Sequence, residues 1–537
     1  MRRVSCLLLL VLALTPWRGH AAVVRPFPSG FLWGTAISGF QSDMGVGAPN
    51  DPNTDWWVWV RDAQNITTGR VSGELPEHGP GFWRLYGRDA RLARFGLRNN
   101  ALRMGIEWSR IFPTSTAGVD TSGGFTPAVL AALDALADPS AVAHYRDVLA
   151  TLRALSLEPM VTLNHFTLPS WIHDPIEVRD AFVGVDPFTG AVPGGIVRGG
   201  WLDPGIVGEF EKLAAYAAWK FGDLVDLWAT LNEPIVVLVN GYLNAAGVGG
   251  NFPPGVFNMP AVVAAIPQLV AAHAVAYDAL HLLDTVDANG DSVAVAAGCV
   301  QNLVEFAPAD AGNPLDVSGT AHADYLYNQA LVTALTTGFF DANLDGDTSD
   351  PGEFRPDLAG RSDWIGVNYY LRARVAGLPA PLSPLLPLFD FLPTITYANP
   401  ENPGGPPCPT TCTEFGWEIY PEGLRARLTA VAAFGLPVYV TENGIADAND
   451  DQRGQYLYDH LAVVQDVAAQ GIADLRGYFQ WSLTDNFEWS SGYFPRFGLY
   501  RYDAVSGRRR ARKSSKVFRT MARRNGITDR LIARYEP

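Results

Sequence analysis

Short apolar runs recur along the chain at intervals of tens of residues, with helix-period stretches between them: Phe31 to Ala36, Ala101 to Gly105, Met160 to Asn164, Leu227 to Asn232, Val293 to Ala297, Trp364 to Asn368, Val438 to Thr441 and Gly477 to Leu483. A run of that length, followed by a polar or aromatic turn and then a helical segment, reads as one βα unit. Eight such units predict a parallel sheet closed into a barrel. The segments Ala141 to Leu155 and Glu209 to Phe221 carry apolar positions at helical spacing, so their apolar faces are expected to be core. From Gly377 to Glu418 the pattern gives way to Pro- and Gly-rich sequence too long for a plain connector, which predicts a long loop over the barrel mouth. No repeat or linker divides the remainder. The expected fold is α/β, a single (β/α)8 TIM barrel with long βα loops at its C-terminal face, spanning 23–537.

The first residues follow a different order: Met1-Arg2-Arg3, an apolar run from Cys6 to Leu14, a polar break, then Gly19-His20-Ala21-Ala22. That is the layout of a secretory signal, expected over 1–22 with cleavage near Ala21 or Ala22, an uncleaved anchor being the alternative. The run is too short to span a bilayer, and no later segment has about 18 uninterrupted apolar residues. The mature chain is therefore expected to be exported, periplasmic or extracellular, with no integral membrane segment after signal removal.

Composition narrows the function. The 537 residues are 48% hydrophobic and 18% charged, enough for a large core and unlike a disordered chain. Lys+Arg total 40 against Asp+Glu 55, a formal charge of −15 that becomes −18 on loss of Arg2, Arg3 and Arg18. A surface of that sign repels phosphate backbones and anionic lipid heads, which argues against nucleic-acid and membrane-surface partners. The basic cluster Arg508 to Lys513 reads as a solvated terminal face. Of the cysteines left after signal removal, Cys299 reads as a buried core thiol, while Cys408 and Cys412 form either a small local disulfide or two free thiols. The stretch from Asp341 to Asp347 alternates oxygen ligands around a turning Gly, as calcium loops do, so Asp341, Asn343 and Asp345 are candidate ligands for a structural calcium. The Glu expected at the twelfth position is absent, replaced by Gly352, and an acidic surface turn is the competing reading.

Two segments carry the strongest chemical signal, Ala229-Thr230-Leu231-Asn232-Glu233-Pro234 and Val438-Tyr439-Val440-Thr441-Glu442-Asn443-Gly444. Each sets a Glu at the end of an apolar strand, where a barrel aims side chains into its mouth. Cleaving a glycosidic bond calls for one carboxylic acid to protonate the departing oxygen and one carboxylate to attack the anomeric carbon. Alone, two strand-end glutamates also fit structural ion pairs.

The surrounding motifs decide further. Phe31-Leu32-Trp33-Gly34-Thr35-Ala36, Gln41, Arg103, Asn164-His165, Thr230 to Pro234, Asn368-Tyr369-Tyr370, Gly416 to Pro421, Thr441 to Gly444, Trp481-Ser482-Leu483, Asn486 to Trp489 and Arg496 to Leu499 occur in one order over nearly the whole chain. In this the chain resembles family 1 of the glycoside hydrolases, the β-glucosidase and β-galactosidase family. The resemblance implies the same barrel fold and a retaining double displacement with no organic cofactor, with Glu233 as acid/base and Glu442 as nucleophile. It implies Arg103 and Tyr370 as partners of Glu442, and Asn232 on the sugar 2-hydroxyl. Gln41, His165 and Glu488 would take the other hydroxyls, with Trp489 as a further donor, Trp481 as floor and Trp417 as aglycone platform. Relatives acting on 6-phosphorylated sugars have Ser in place of Glu488 and a Lys and Tyr nearby; Glu488, Pro495 and Phe497 here imply an unphosphorylated small-molecule or oligosaccharide β-glycoside. Ser42-Asp43-Met44 departs from the usual family run. A transglycosylase sharing the site, or a silent sugar-binding protein, are the alternatives; both glutamates being present disfavours the second. The epimer, the aglycone and the oligomeric state are not legible.

Overall fold

The computed structural model describes residues 22–243 and 251–536, so the leader expected over 1–22 lies, but for Ala22, outside the described residues. All eight runs contain strands: β1 Leu32–Ala36, β2 Ala101–Gly105, β3 Glu158–Asn164, β4 Leu227–Asn232, β5 Ala296–Pro308, β6 Trp364–Gly377, β7 Val438–Asn443 and β8 Leu475–Trp481. Each pairs in parallel with its neighbour in chain order, and β8 returns to β1, closing the ring. Such strands are covered on both faces, inside by one another and outside by helices, which is why they read as continuous apolar runs. β2 and β4 are buried along their whole length.

Two strands differ from the sequence expectation. β5 starts three residues later than Val293 and continues to Pro308, and β6 continues past Asn368 to Gly377. Beyond the rim the two pair with each other as far as Pro308 and Val375. This extension interrupts its apolar residues with Gln301, Asn302 and Glu305, so it gives no apolar run. The 377–418 segment is also not wholly loop, because Phe391–Thr394 adds antiparallel to the end of β6. Its far end is fixed by Glu418, whose carboxylate is buried and accepts from Arg372 Nε at 2.9 Å and from Thr410 Oγ1 at 2.8 Å. Cys408 and Cys412 are joined as a disulfide in this segment, and Cys299 is free and buried, with burial pushing its thiol up to about 12.

Helices Pro139–Ala154 and Ile206–Phe221 occupy the segments read as helical, the first capped by Asp138 accepting from the Ser140 and Ala141 amides. The 25-residue helix Met259–Leu283 is long and apolar enough to cross a membrane, with a hydropathy of 1.6, yet 61% of its 18-residue apolar stretch is buried inside the protein and it packs against Ile206–Phe221. Its apolarity is that of a helix covered on several sides. The C-terminal basic cluster corrects one expectation. Arg508, Arg510 and Lys513 are solvated, but Arg509 pairs with Asp89 at 2.6 Å and Arg512 with Asp485 at 2.7 Å, all four side chains 1–2% exposed.

Candidate active site

Glu233 follows β4 directly and is the residue that turns strand into helix. Its φ of 49° is left-handed, and Pro234 then opens the helix Pro234–Tyr242. A non-glycine residue held there is strained, a feature that clusters at functional sites. Glu442 lies within β7, in register with Asn368 on β6, which is in register with Asn302 on β5. Three neighbouring strands thus present one Asn or Glu each to the same mouth.

The two carboxyls have different partners. Glu442 is held on both oxygens, Oε1 by Arg103 Nη1 at 2.5 Å and Oε2 by the Tyr370 hydroxyl at 2.6 Å. Arg103 is 1% exposed; its Nη2 donates to Asn232 Oδ1 at 2.6 Å and its Nε to Thr162 Oγ1 at 3.1 Å. Among the described residues Glu233 has no cation paired with it. Its Oε1 accepts from Asn368 Nδ2 at 2.7 Å and Asn302 Nδ2 at 2.9 Å. Burial, and then the charge of Glu442, push Glu233 up to about 7. Burial also raises Glu442 from its ordinary value, opposed by Arg103 and by the Tyr370 hydrogen bond. One carboxyl is therefore equipped to keep a proton near neutrality and the other to remain an anion.

The residues read as sugar-binding surround this pair. His165 stacks 6.0 Å from both Trp481 and Trp489 and lies 3.2 Å from Asn232 Nδ2. Burial and Arg103 hold its imidazole well below its usual range, so it is neutral. Gln41 donates to Glu488 Oε2 at 3.3 Å, and its own oxygen accepts from Ser38 at 2.9 Å. Glu488 is pushed up to about 8 by burial, then by Glu442 and Glu233. Trp417 is half-buried, 5.5 Å from the Tyr370 ring and against Phe415 and Phe497. Every residue given a catalytic or sugar-binding role by the motifs falls in this one cluster.

Asp341, Asn343 and Asp345 belong elsewhere. Asp341 already accepts from the Gly346 amide at 2.9 Å, the Asp345 amide at 3.2 Å and the Tyr325 hydroxyl at 2.5 Å. Among the described residues no group of three or more His, Cys, Asp or Glu is placed to hold a metal ion.

Sequence reasoning missed the residues that hold the site from behind. Asn302 lies in the extension of β5, outside any apolar run. Glu107 is fully buried and accepts from the Phe40 amide at 2.9 Å with one oxygen and from Thr167 Oγ1 at 2.7 Å with the other. It thereby ties the turn carrying Gln41 to the turn carrying His165. The fit is close, since a Cβ on Gly39 would lie 2.4 Å from Glu107 Oε1. Burial pushes Glu107 up to about 7.

A buried carboxyl pair at the C-terminal mouth of an eight-stranded barrel, walled by tryptophans and polar side chains, is the arrangement a barrel glycosidase needs. Residues 23–180 and 193–527 match the model of glycosyl hydrolase family 1, and the chain belongs to that family. It is 41% identical over 524 residues to a β-galactosidase of Pyrococcus woesei, covering 94% of this chain and 98% of that one. To a β-galactosidase of Sulfolobus acidocaldarius it is 38% identical, covering 94% and 96%. The crystal structure of the β-glycosidase from Thermosphaera aggregans superposes with a TM-score of 0.79 at 34% identity, covering 95% and 99%. The protein is an enzyme of the O-glycosyl hydrolase class.

Proposed function

We propose that this enzyme hydrolyses unphosphorylated β-D-glucosides and related β-glycosides from their non-reducing ends by a retaining double displacement. Glu442 attacks the anomeric carbon as Glu233 passes its proton to the departing oxygen; Glu233 then takes a proton from a water whose oxygen bonds to the anomeric carbon as the bond to Glu442 breaks. The observation that carries this reading is the asymmetry of the pair, with Arg103 and Tyr370 gripping both oxygens of Glu442 while Glu233 meets only amides and is raised to about 7. An unphosphorylated substrate is supported by Glu488. A sugar phosphate beside it would meet three buried carboxyls, and the nearby guanidinium of Arg103 is already engaged. Initial rates on nitrophenyl β-glycosides, including a 6-phosphoglucoside, with Glu442→Ala run beside the native enzyme, test both points. Hydrolysis of unphosphorylated substrates that falls by orders of magnitude in the variant supports the reading; faster turnover of the phosphorylated sugar contradicts it.

Export belongs to the same proposal. It rests on the leader pattern of 1–22 and on Cys408–Cys412, a bond favoured in oxidising compartments. A mature protein whose N-terminus, determined by mass spectrometry, lies near Ala22 or Val23 is the expected result; an intact Met1 in the cytosolic fraction counts against it.

A further inference from the structure

Both donors to Glu233 fall on the same oxygen. Asn302 Nδ2 and Asn368 Nδ2 reach Oε1, and neither reaches Oε2. An asparagine can present either its NH2 or its oxygen, according to what engages the other end. Here each amide oxygen is engaged by a hydroxyl, Asn302 Oδ1 accepting from Tyr327 at 2.8 Å and Asn368 Oδ1 from Thr441 at 2.7 Å. Both amides are thereby oriented with NH2 toward Glu233. A carboxylic acid whose Oε1 receives two N–H donors carries its proton on the other oxygen, because a proton on Oε1 would face them. Were Asn302 reversed, its carbonyl would face Oε1 and draw the proton there.

We propose that Tyr327 and Thr441 are positioning residues that lock these two amides and so hold the transferable proton of Glu233 on Oε2. The proposal rests on Glu233 being the acid/base. In the first step the proton leaves Oε2 for the glycosidic oxygen as the bond from that oxygen to the anomeric carbon breaks and the bond to Glu442 forms. The resulting carboxylate keeps both amide donors, and water later returns the proton.

The backbone is shaped for this contact. Tyr327 lies in a π-helical turn, Tyr325–Gln329, between helices Pro314–Asp324 and Ala330–Thr337. The wider turn changes which side chains face inward, a feature frequent at functional sites. It is stitched to β5 by Asn328, whose amide accepts from Val304 N at 3.0 Å and donates to Val304 O at 2.8 Å. Tyr327 thus reaches Asn302, two positions earlier on the same strand. Burial, and the charge of Glu233, raise the Tyr327 phenol far above its usual range, so it stays a donor.

The test compares kcat/KM on a methyl β-glycoside, whose leaving group needs a proton, with that on the 2,4-dinitrophenyl β-glycoside of the same sugar, whose leaving group does not. General acid catalysis supplies about 10²–10⁴-fold, and misplacing the proton forfeits part of it. Tyr327→Phe is expected to lose about tenfold on the methyl glycoside and less than about twofold on the dinitrophenyl glycoside. Thr441→Val and Asn302→Ala are expected to show the same imbalance. Equal losses on both substrates would assign these residues to packing alone, and unchanged rates on both would leave no lock; either overturns the proposal. Glu233→Gln run beside them separates the premises: should it lose both substrates equally, the assignment of the acid fails, whatever Tyr327 does.

Discussion

At the scale of single residues, chemical role follows from charge partners. Glu233 and Glu442 are both buried, and only Glu442 has a guanidinium against it. The expected consequence is a kcat/KM that declines above about pH 7 as the pair loses the proton held by Glu233. Glu233→Gln should abolish that alkaline limb on substrates with good leaving groups; a limb that persists would assign the ionisation to another group. Glu107 makes a second test. Its removal leaves the Phe40 amide and Thr167 hydroxyl without their acceptor, at about 1–3 kcal/mol. Glu107→Ala should raise KM more than it lowers kcat, since the turns of both Gln41 and His165 are released; a fall in kcat alone would count against that. The glutamates were legible because they sit in long ordered motifs at strand ends. Asn302, Tyr327 and Glu107 were not, because their meaning lies in contacts between segments distant in sequence, and no local pattern records which oxygen they face.

At the scale of elements, the period of apolar positions located all eight barrel strands but not their ends. β5 and β6 outrun their apolar runs because the extensions above the rim face polar site residues on one side. The Arg508 to Lys513 cluster shows the converse error, a charge run read as solvated although the side chains of Arg509 and Arg512 are buried. Asp485, in the turn after β8, accepts from Arg512 Nη1 and Nη2 and from the Gly498 amide, fastening the C-terminal segment to the barrel. Breaking a buried pair from one side strands the other charge, so Asp485→Ala is expected to cost about 3–5 kcal/mol in denaturant unfolding. A cost under about 1 kcal/mol, the value of an exposed pair, would show that the pair is open to water.

At the scale of the whole molecule, burial of carboxyls for catalysis carries a stability cost that depends on pH. Glu107 and Glu233 are raised to about 7 and Glu488 to about 8, above an unfolded value of about 4.3. Acids raised in the folded state contribute stability that is full below the unfolded value and is lost as pH rises through the folded one. Each therefore costs about 1.4 kcal/mol per pH unit across its window. Above about pH 6.5, where histidines are neutral in the unfolded chain as well, the melting temperature should fall up to about pH 8.5, less steeply in Glu488→Gln; a rise over that range would contradict the burial argument. With the Asp341 carboxylate accepting from two amides and Tyr325, chelator and added calcium are expected to leave the melting temperature unmoved, and a shift would support the calcium reading. The fold class was legible because a closed parallel barrel must bury every strand on two sides. The expected loop from Gly377 to Glu418 was only partly so, because Phe391–Thr394 owes its strand to an edge that β6 supplies.

The most direct test is to treat the enzyme with a 2-deoxy-2-fluoro-β-glycoside bearing a good leaving group, which slows release of the sugar, and to map the labelled peptide by mass spectrometry. A single adduct on Glu442 is the expected result. An adduct on any other residue, or turnover with inverted product and no adduct, would contradict the assignment of Glu442 as nucleophile.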